Sequence, residues 1–243
     1  MKALFDFIDA HASQYVSDLQ HLLRQPSVSA HNLGVKETAA MVQRFFAEAG
    51  GRAHLVNMPG AQPVVYAEFD GESGPTLAFY NHYDVQPPDP LELWRSHPFA
   101  AEIRDGRIWA RGAGDNKGNL MARIAAVKAY REVHGRLPLP VKFIVEGEEE
   151  IGSPHLGQFA EAHPDLVRAA ACVWEGGFKD STGRPVIYCG VKGILLRGDP
   201  RQRRPFRSAL HVGIDCPEPD VAVDVGVGSV EDTRRANPDP GLL

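Results

Sequence analysis

Cysteine is scarce: three residues among 243 (Cys172, Cys189, Cys216), an odd number without metal-type spacing. That excludes a disulfide framework and fits buried thiols in a reducing, cytoplasmic setting. No apolar stretch approaches the roughly 18–20 residues of a membrane-spanning helix. The opening Met1-Lys2-Ala3-Leu4-Phe5-Asp6 turns acidic too soon for a secretory signal. Positive charge is not in excess: the net charge is −5, so neither nucleic acid nor a membrane surface is an expected partner. From Leu196 onward, lysine, tyrosine, tryptophan and methionine are missing, while Arg, Pro, Asp, Gly and Val abound.

What remains is ordinary globular text, 43% hydrophobic and 23% charged, long enough for one large α/β domain or two small ones. Leu4, Phe5, Ile8, Val16, Leu19, Leu22 and Leu23 recur at helical spacing and predict one helix over 3–24, ending before Pro26. A second amphipathic helix spans 35–49 and stops at Gly50-Gly51. Residues 64–69 and 76–80 read as strands. A helix from Asn116 to about His134 follows, then strands at 141–145, 169–174 and 185–189, with a short helix over 154–163. Strands alternating with helices predict an α/β fold with a mainly parallel sheet and helices on both faces. In such sheets, ligands bind beyond the carboxyl ends of the strands. His82, Asp84, Glu149, Glu150 and Glu175 fall just past predicted strand ends, and Asp115 just before a helix.

The most informative segment is Glu146-Gly147-Glu148-Glu149-Glu150-Ile151-Gly152-Ser153. Carboxylates so crowded at the end of a buried strand repel one another unless a cation sits among them. Taken alone, the cluster reads equally as a solvated acidic turn capping a helix. Two upstream segments offer matching ligands: Asn81-His82-Tyr83-Asp84 and Ala113-Gly114-Asp115-Asn116. In an extended segment His82 and Asp84 point to the same side, and an imidazole paired with a carboxylate is a common arrangement behind metal ligands. Alone, His-x-Asp is a weak signal, and a histidine satisfied near a turn is its commoner explanation. Asp115 follows small residues that let a carboxylate approach an ion closely, although aspartate also favours helix N-caps. Glu149 and Glu150 need not share one job: one can bind a metal while its neighbour acts as general base. Glu146 and Glu148 read as structural or solvated. Glu175 alone reads as a loop glutamate.

Together these residues resemble the M20 metallopeptidase family, in its carnosinase-like and cytosolic dipeptidase branch. The resemblance rests on Tyr80-Asn81-His82-Tyr83-Asp84-Val85-Gln86-Pro87, Trp94-Arg95-Ser96-His97-Pro98-Phe99, Gly106-Arg107-Ile108-Trp109-Ala110-Arg111-Gly112-Ala113-Gly114-Asp115-Asn116-Lys117-Gly118 and the acidic cluster. It implies a zinc-peptidase-like catalytic domain with two divalent metal ions, zinc or else manganese, and an inserted lid that mediates dimerisation. By the same resemblance His82 and Glu175 bind one metal, Asp115 bridges, Glu150 binds the second, Glu149 is the general base and Asp84 orients His82. A cis peptide is implied at Asp115-Asn116. The bridged metals stabilise hydroxide formation and polarise the carbonyl of a small peptide substrate. The 94–99 block favours the dipeptidase branch over amidohydrolases of N-acyl amino acids.

The resemblance runs over residues 1–195, as the N-terminal part of an incomplete catalytic domain, and is lost over 196–243. Family members are considerably longer. The tail reads as out-of-frame text from a GC-rich gene, poorly packed and standing where the lid is expected. His211 does not replace the histidine that the family supplies to the second metal from near its C-terminus. The expectation is therefore a chain of low or no peptidase activity, without the family dimer and with exposed apolar surface that invites aggregation. A non-catalytic metal-binding fragment is the alternative.

Overall fold

The computed structural model describes residues 1–179, 182–186 and 223–224. The chain divides into two compact units, Met1–Gly176 with Asp220–Leu243, and Gly177–Pro219.

The first unit is built on a five-stranded sheet of order β1-β2-β6-β3-β7. Its strands are β1 (Arg52–Val56), β2 (Val64–Phe69), β3 (Leu77–His82), β6 (Val141–Glu146) and β7 (Ala171–Val173). β6 lies parallel to β3, and β3 parallel to β7. β2 is antiparallel to both β1 and β6. It follows that β1, β3, β6 and β7 share one direction and β2 alone opposes them, so the sheet is mixed but mainly parallel, as expected. β6 is central, and each of its six residues is buried. A strand covered on both faces must be apolar throughout rather than alternating.

The helices explain that burial. On one face α2 (Ala12–Arg24), α3 (Val35–Glu48) and α4 (Lys117–His134) pack on Val65, Ala67, Phe69, Phe143 and Val145. Phe46 of α3 lies 4.8 Å from Phe143, centroid to centroid. On the other face α5 (Leu156–Ala162) and α6 (Pro164–Val167) cover Val64, Tyr66 and Ile144 through Leu156, Phe159, Leu166 and Val167. Alternate residues of β2 thus serve opposite cores, which is what the two-residue strand period requires.

Four details differ from the sequence reading. The expected helix over 3–24 is two helices, α1 (Lys2–Ala10) and α2, broken at His11. There His11 leaves helical geometry (φ −108°, ψ 7°), its ring stacks on Phe7, and its Nδ1 donates at 2.8 Å to the Phe7 carbonyl, which also keeps the His11 amide at 3.2 Å. β3 runs on to His82, which therefore ends the strand rather than following it. β1 was not foreseen, because its pattern is weak and its outer positions are exposed. Cys172, expected to be buried, is a free exposed thiol on β7, which lies at the sheet edge among the described residues.

A smaller sheet joins β4 (Glu102–Arg104), β5 (Arg107–Trp109) and β10 (Val223–Asp224), each pairing antiparallel. The expectation of a poorly packed tail otherwise lies outside the described residues, as does the 195/196 boundary. The second unit is described at β8 (Phe178–Lys179) and β9 (Pro185–Val186), an antiparallel pair. The rest of the strand expected over 185–189 lies outside the described residues.

Candidate metal centre

Because β3, β6 and β7 are parallel, their carboxyl ends open on one rim. His82 closes β3 and faces Glu146 across the register. Glu149 and Glu150 follow β6 in a 3-10 turn, Glu149–Ile151. Glu175 follows β7. Gly147 lets the chain leave β6: a Cβ there would lie 2.3 Å from Tyr83 Oη.

His82 is fully buried, and its two ring nitrogens have separate tasks. Nδ1 lies 3.1 Å from the Asp84 carbonyl, an acceptor only, so Nδ1 carries the proton. Nε2 is left facing the rim. There it meets Asp115 Oδ1 at 3.0 Å, Glu175 Oε2 at 3.2 Å and Glu149 Oε2 at 3.8 Å. Asp84 was expected to orient His82 with its carboxylate. Oδ1 is 3.3 Å from Nδ1, but the backbone carbonyl is the nearer partner. The buried Asp84 carboxylate also accepts the amides of Glu149 and Glu150, a task that sequence reasoning missed.

Asp115 sits at the head of α4, but Asn116 is the N-cap residue, so Asp115 does not cap the helix. Its side chain is 68% exposed and open to the rim. The peptide Asp115-Asn116 is cis. Gly112, at φ +83°, lets this loop pass Val85, since a Cβ there would sit 2.5 Å from Val85 Cγ1.

The acidic cluster is divided by its contacts. Glu146 is buried and accepts from Tyr80 Oη and Ser153 Oγ. Glu148 is buried, accepts the Gln62 amide at 3.2 Å and pairs with His155 Nδ1 at 2.8 Å. Both are therefore structural, and neither is solvated. Glu149 and Glu150 alone turn to the rim, where Gln86 Nε2 donates to Glu150 at 2.7 Å. No spacing rule announces Tyr80, Ser153, His155 or Gln86 as partners, because each is distant or offset in the chain.

Crowding shows in the protonation of the group. Burial pushes the Glu150 and Glu175 carboxyls up to about 7, and neighbouring carboxylates add to the push against the opposing pull of His82. Burial likewise raises Glu149. Burial opposes charge on His82, yet the Asp115 and Asp84 contacts and the nearby Glu175 charge hold its pKa well above the ordinary value. Asp115 is held low: desolvation pushes it up, but the His82 hydrogen bond and charge, with Arg111, outweigh that. One imidazole cannot neutralise so many carboxylates. Apart from the 3.2 Å approach of His82 Nε2, Glu175 Oε2 is buried without a hydrogen-bond partner among the described residues. His82, Glu149 and Glu150 offer ligand atoms within 4.8 Å of one another. One nitrogen amid carboxylate oxygens fits a divalent cation.

An imidazole ringed by carboxylates, over the carboxyl ends of parallel strands in a helix-covered sheet, defines the class: an α/β domain built to hold metal. The sequence matches Peptidase family M20/M25/M40 over residues 78–238, a stretch that passes the 195/196 boundary, and the chain belongs to that family. It is 33% identical over 211 residues to human Beta-Ala-His dipeptidase, covering 79% of this chain and 42% of that one. It is 30% identical over 207 residues to a Cys-Gly metallodipeptidase of Schizosaccharomyces pombe, covering 79% of this chain and 44% of that one. The structure superposes on an M20 family metallo-carboxypeptidase from Sulfolobus solfataricus with a TM-score of 0.67 at 42% identity, over 70% of this chain and 39% of that one. The chain thus spans less than half the length of the curated relatives it matches. Among the described residues, no helix is long and apolar enough to cross a membrane.

Proposed function

We propose that this chain carries the metal-binding and proton-transferring part of a hydrolase acting on dipeptides or short peptides. One observation supports it above all: His82 presents Nε2, with Nδ1 tied back, to Asp115, Glu175 and Glu149 at 3.0, 3.2 and 3.8 Å. In this reading His82, Asp115 and Glu175 would hold one ion, and Asp115 and Glu150 would hold a second. Zinc is the proposed metal and manganese the alternative. When bound, such ions lower the pKa of water and polarise a carbonyl.

The chain's own residues supply the rest. Glu149 is partly exposed to the rim, and burial has already raised its carboxyl. It takes a proton from the attacking water and returns it to the leaving amine, so that the amide C–N bond breaks while water oxygen joins the carbonyl carbon. Asp84 holds Glu149 and Glu150 by their amides, and Gln86 fixes the Glu150 carboxylate. The dipeptidase relatives make β-alanyl-histidine and cysteinyl-glycine the first substrates to try.

The decisive experiment is hydrolysis of those dipeptides with zinc or manganese, by the chain alone and co-expressed with the downstream half of a relative. Hydrolysis in either arm that fails on Glu149→Gln supports the proposal. Metal binding with no hydrolysis in either arm leaves the non-catalytic fragment instead. The reading also assigns 1–195 to the catalytic domain and 196–243 to an out-of-frame tail. Re-reading the gene tests that: a shifted frame must restore lid-like text. A cytosolic location belongs to the same proposal.

A further inference from the structure

Beyond Val173 the chain leaves β7, and Glu175 stands in irregular backbone. Something must hold it against His82. The described hydrogen bonds to that backbone come from one side chain, Arg123 of α4. Its Nη2 donates to the Trp174 carbonyl at 2.5 Å and the Gly176 carbonyl at 3.2 Å, the two carbonyls that bracket Glu175. Its Nη1 donates to the Tyr80 carbonyl at 2.9 Å and to Asn81 Oδ1 at 2.7 Å, on the strand end that presents His82. Asn81 Nδ2 in turn donates to Asn116 Oδ1, next to Asp115. The Trp174 ring stacks on Tyr80 at 4.0 Å and closes the same junction.

We infer that Arg123 is a positioning residue that clamps the Glu175 segment to the His82 strand and thereby sets the affinity of the ion held by His82, Asp115 and Glu175. The inference rests on the ligand assignment proposed above. A planar fork with donors on both arms suits this task, because two pairs of acceptors on separate segments must be spanned at once. A lysine offers one point of attachment and cannot span them. The side chain adds little restraint of its own: apart from its 3.2 Å approach to His82 Nε2, Glu175 Oε2 has no hydrogen-bond partner among the described residues.

The test is a double-mutant cycle read by metal binding. Zinc affinity is measured by chelator competition for the 243-residue chain, R123M, E175Q and the double variant. R123M is expected to weaken zinc by about 10–100-fold, the usual effect of removing a partner behind a ligand. In the E175Q background the same change is expected to alter affinity by less than about twofold, because the group it positions is gone. A merely structural role would cost the same in both backgrounds, and that result overturns the inference. R123M binding like wild type beside a weakened E175Q overturns the clamp alone. E175Q binding like wild type overturns the ligand assignment and the clamp with it. Should R123M not fold, R123K carries the same cycle, retaining the charge but not the bridge, with the same expected coupling and the same overturning results.

Discussion

Asp84 Oδ2 accepts the backbone amide of Glu150 at 3.1 Å, while Oδ1 accepts that of Glu149 at 3.2 Å. A buried carboxylate behind the imidazole thus also anchors the turn that carries the proposed base and ligand. The geometry of the acidic turn and of His82 are therefore one problem with one solution.

Asp84→Asn replaces one acceptor oxygen with a donor and cannot serve both amides. It is expected to weaken metal binding by about 10–100-fold and to cost about 1–3 kcal/mol of stability through an unsatisfied buried group. Chelator competition and urea unfolding read the two effects. Wild-type affinity in this variant would refute the anchoring role.

Glu149→Gln keeps the shape of the side chain and removes the proposed base. In whichever arm of the proposed assay dipeptides are cleaved, turnover should fall by about 10²–10⁴-fold, with metal stoichiometry and affinity little changed. Loss of metal in parallel with activity would make Glu149 a ligand rather than the base.

Metal should also stabilise the fold. In the proposed assignment His82, Asp115 and Glu175 would offer one ion a nitrogen and two carboxylates, whereas the other would draw on Asp115 and Glu150 among the described residues. One tight and one weaker site are expected by calorimetric titration. At a zinc concentration of about 100 times Kd the gain is about 2.7 kcal/mol, read as a raised thermal midpoint that a chelator reverses. His82→Ala should abolish the shift, and two equally tight sites would contradict the unequal pair.

Lys117 predicts a pH effect on stability. It is fully buried and donates to the carbonyls of Leu22 at 3.2 Å and Gln25 at 2.7 Å. Burial pushes its ammonium down to about 7 from the ordinary 10.5, against a weaker upward pull from Asp84. The unfolded chain therefore binds more protons between those values, and stability rises with pH across that window. Below about 7 the penalty for burying the charge is constant. Lys117→Met should lose this rise, so unfolding free energies at pH 7 and pH 9 should converge for the variant and diverge for wild type. A wild-type slope in the variant would assign the effect elsewhere.

Gly147→Ala should strain the exit from β6, since the new Cβ meets the buried Tyr83 hydroxyl, which itself donates to Pro63 O at 2.6 Å. A cost of about 1–3 kcal/mol is expected from overpacking. Tyr83→Phe in the same background should not recover it, because the new Cβ also lies 2.4 and 2.7 Å from Tyr83 Cζ and Cε2, which Phe keeps; denaturant unfolding measures both variants, and a full rescue would sink the overpacking account.

The alternation of strands and helices and the list of carboxylates were legible in the residue order, because apolar periodicity and side-chain chemistry are local properties. The helix break at His11 was not, since neither proline nor glycine stands there to announce the change of backbone geometry between Ala10 and Ala12. Nor could residue order divide the acidic cluster. Glu146 and Glu148 turn inward because Tyr80, Ser153, Gln62 and His155 receive them, whereas Glu149 and Glu150 turn out because Asp84 holds their amides.

By itself, then, the sequence determined the chemistry on offer: one histidine with carboxylates at successive strand ends, in an order and text resembling a known metallopeptidase family. Only the tertiary structure decided which oxygens meet Nε2, and that Arg123 ties the Glu175 segment to the strand of His82. The physical reason is the parallel sheet, which brings chain ends far apart in sequence to one rim. There, hydrogen bonds between distant residues, rather than local preference, fix each side chain's direction.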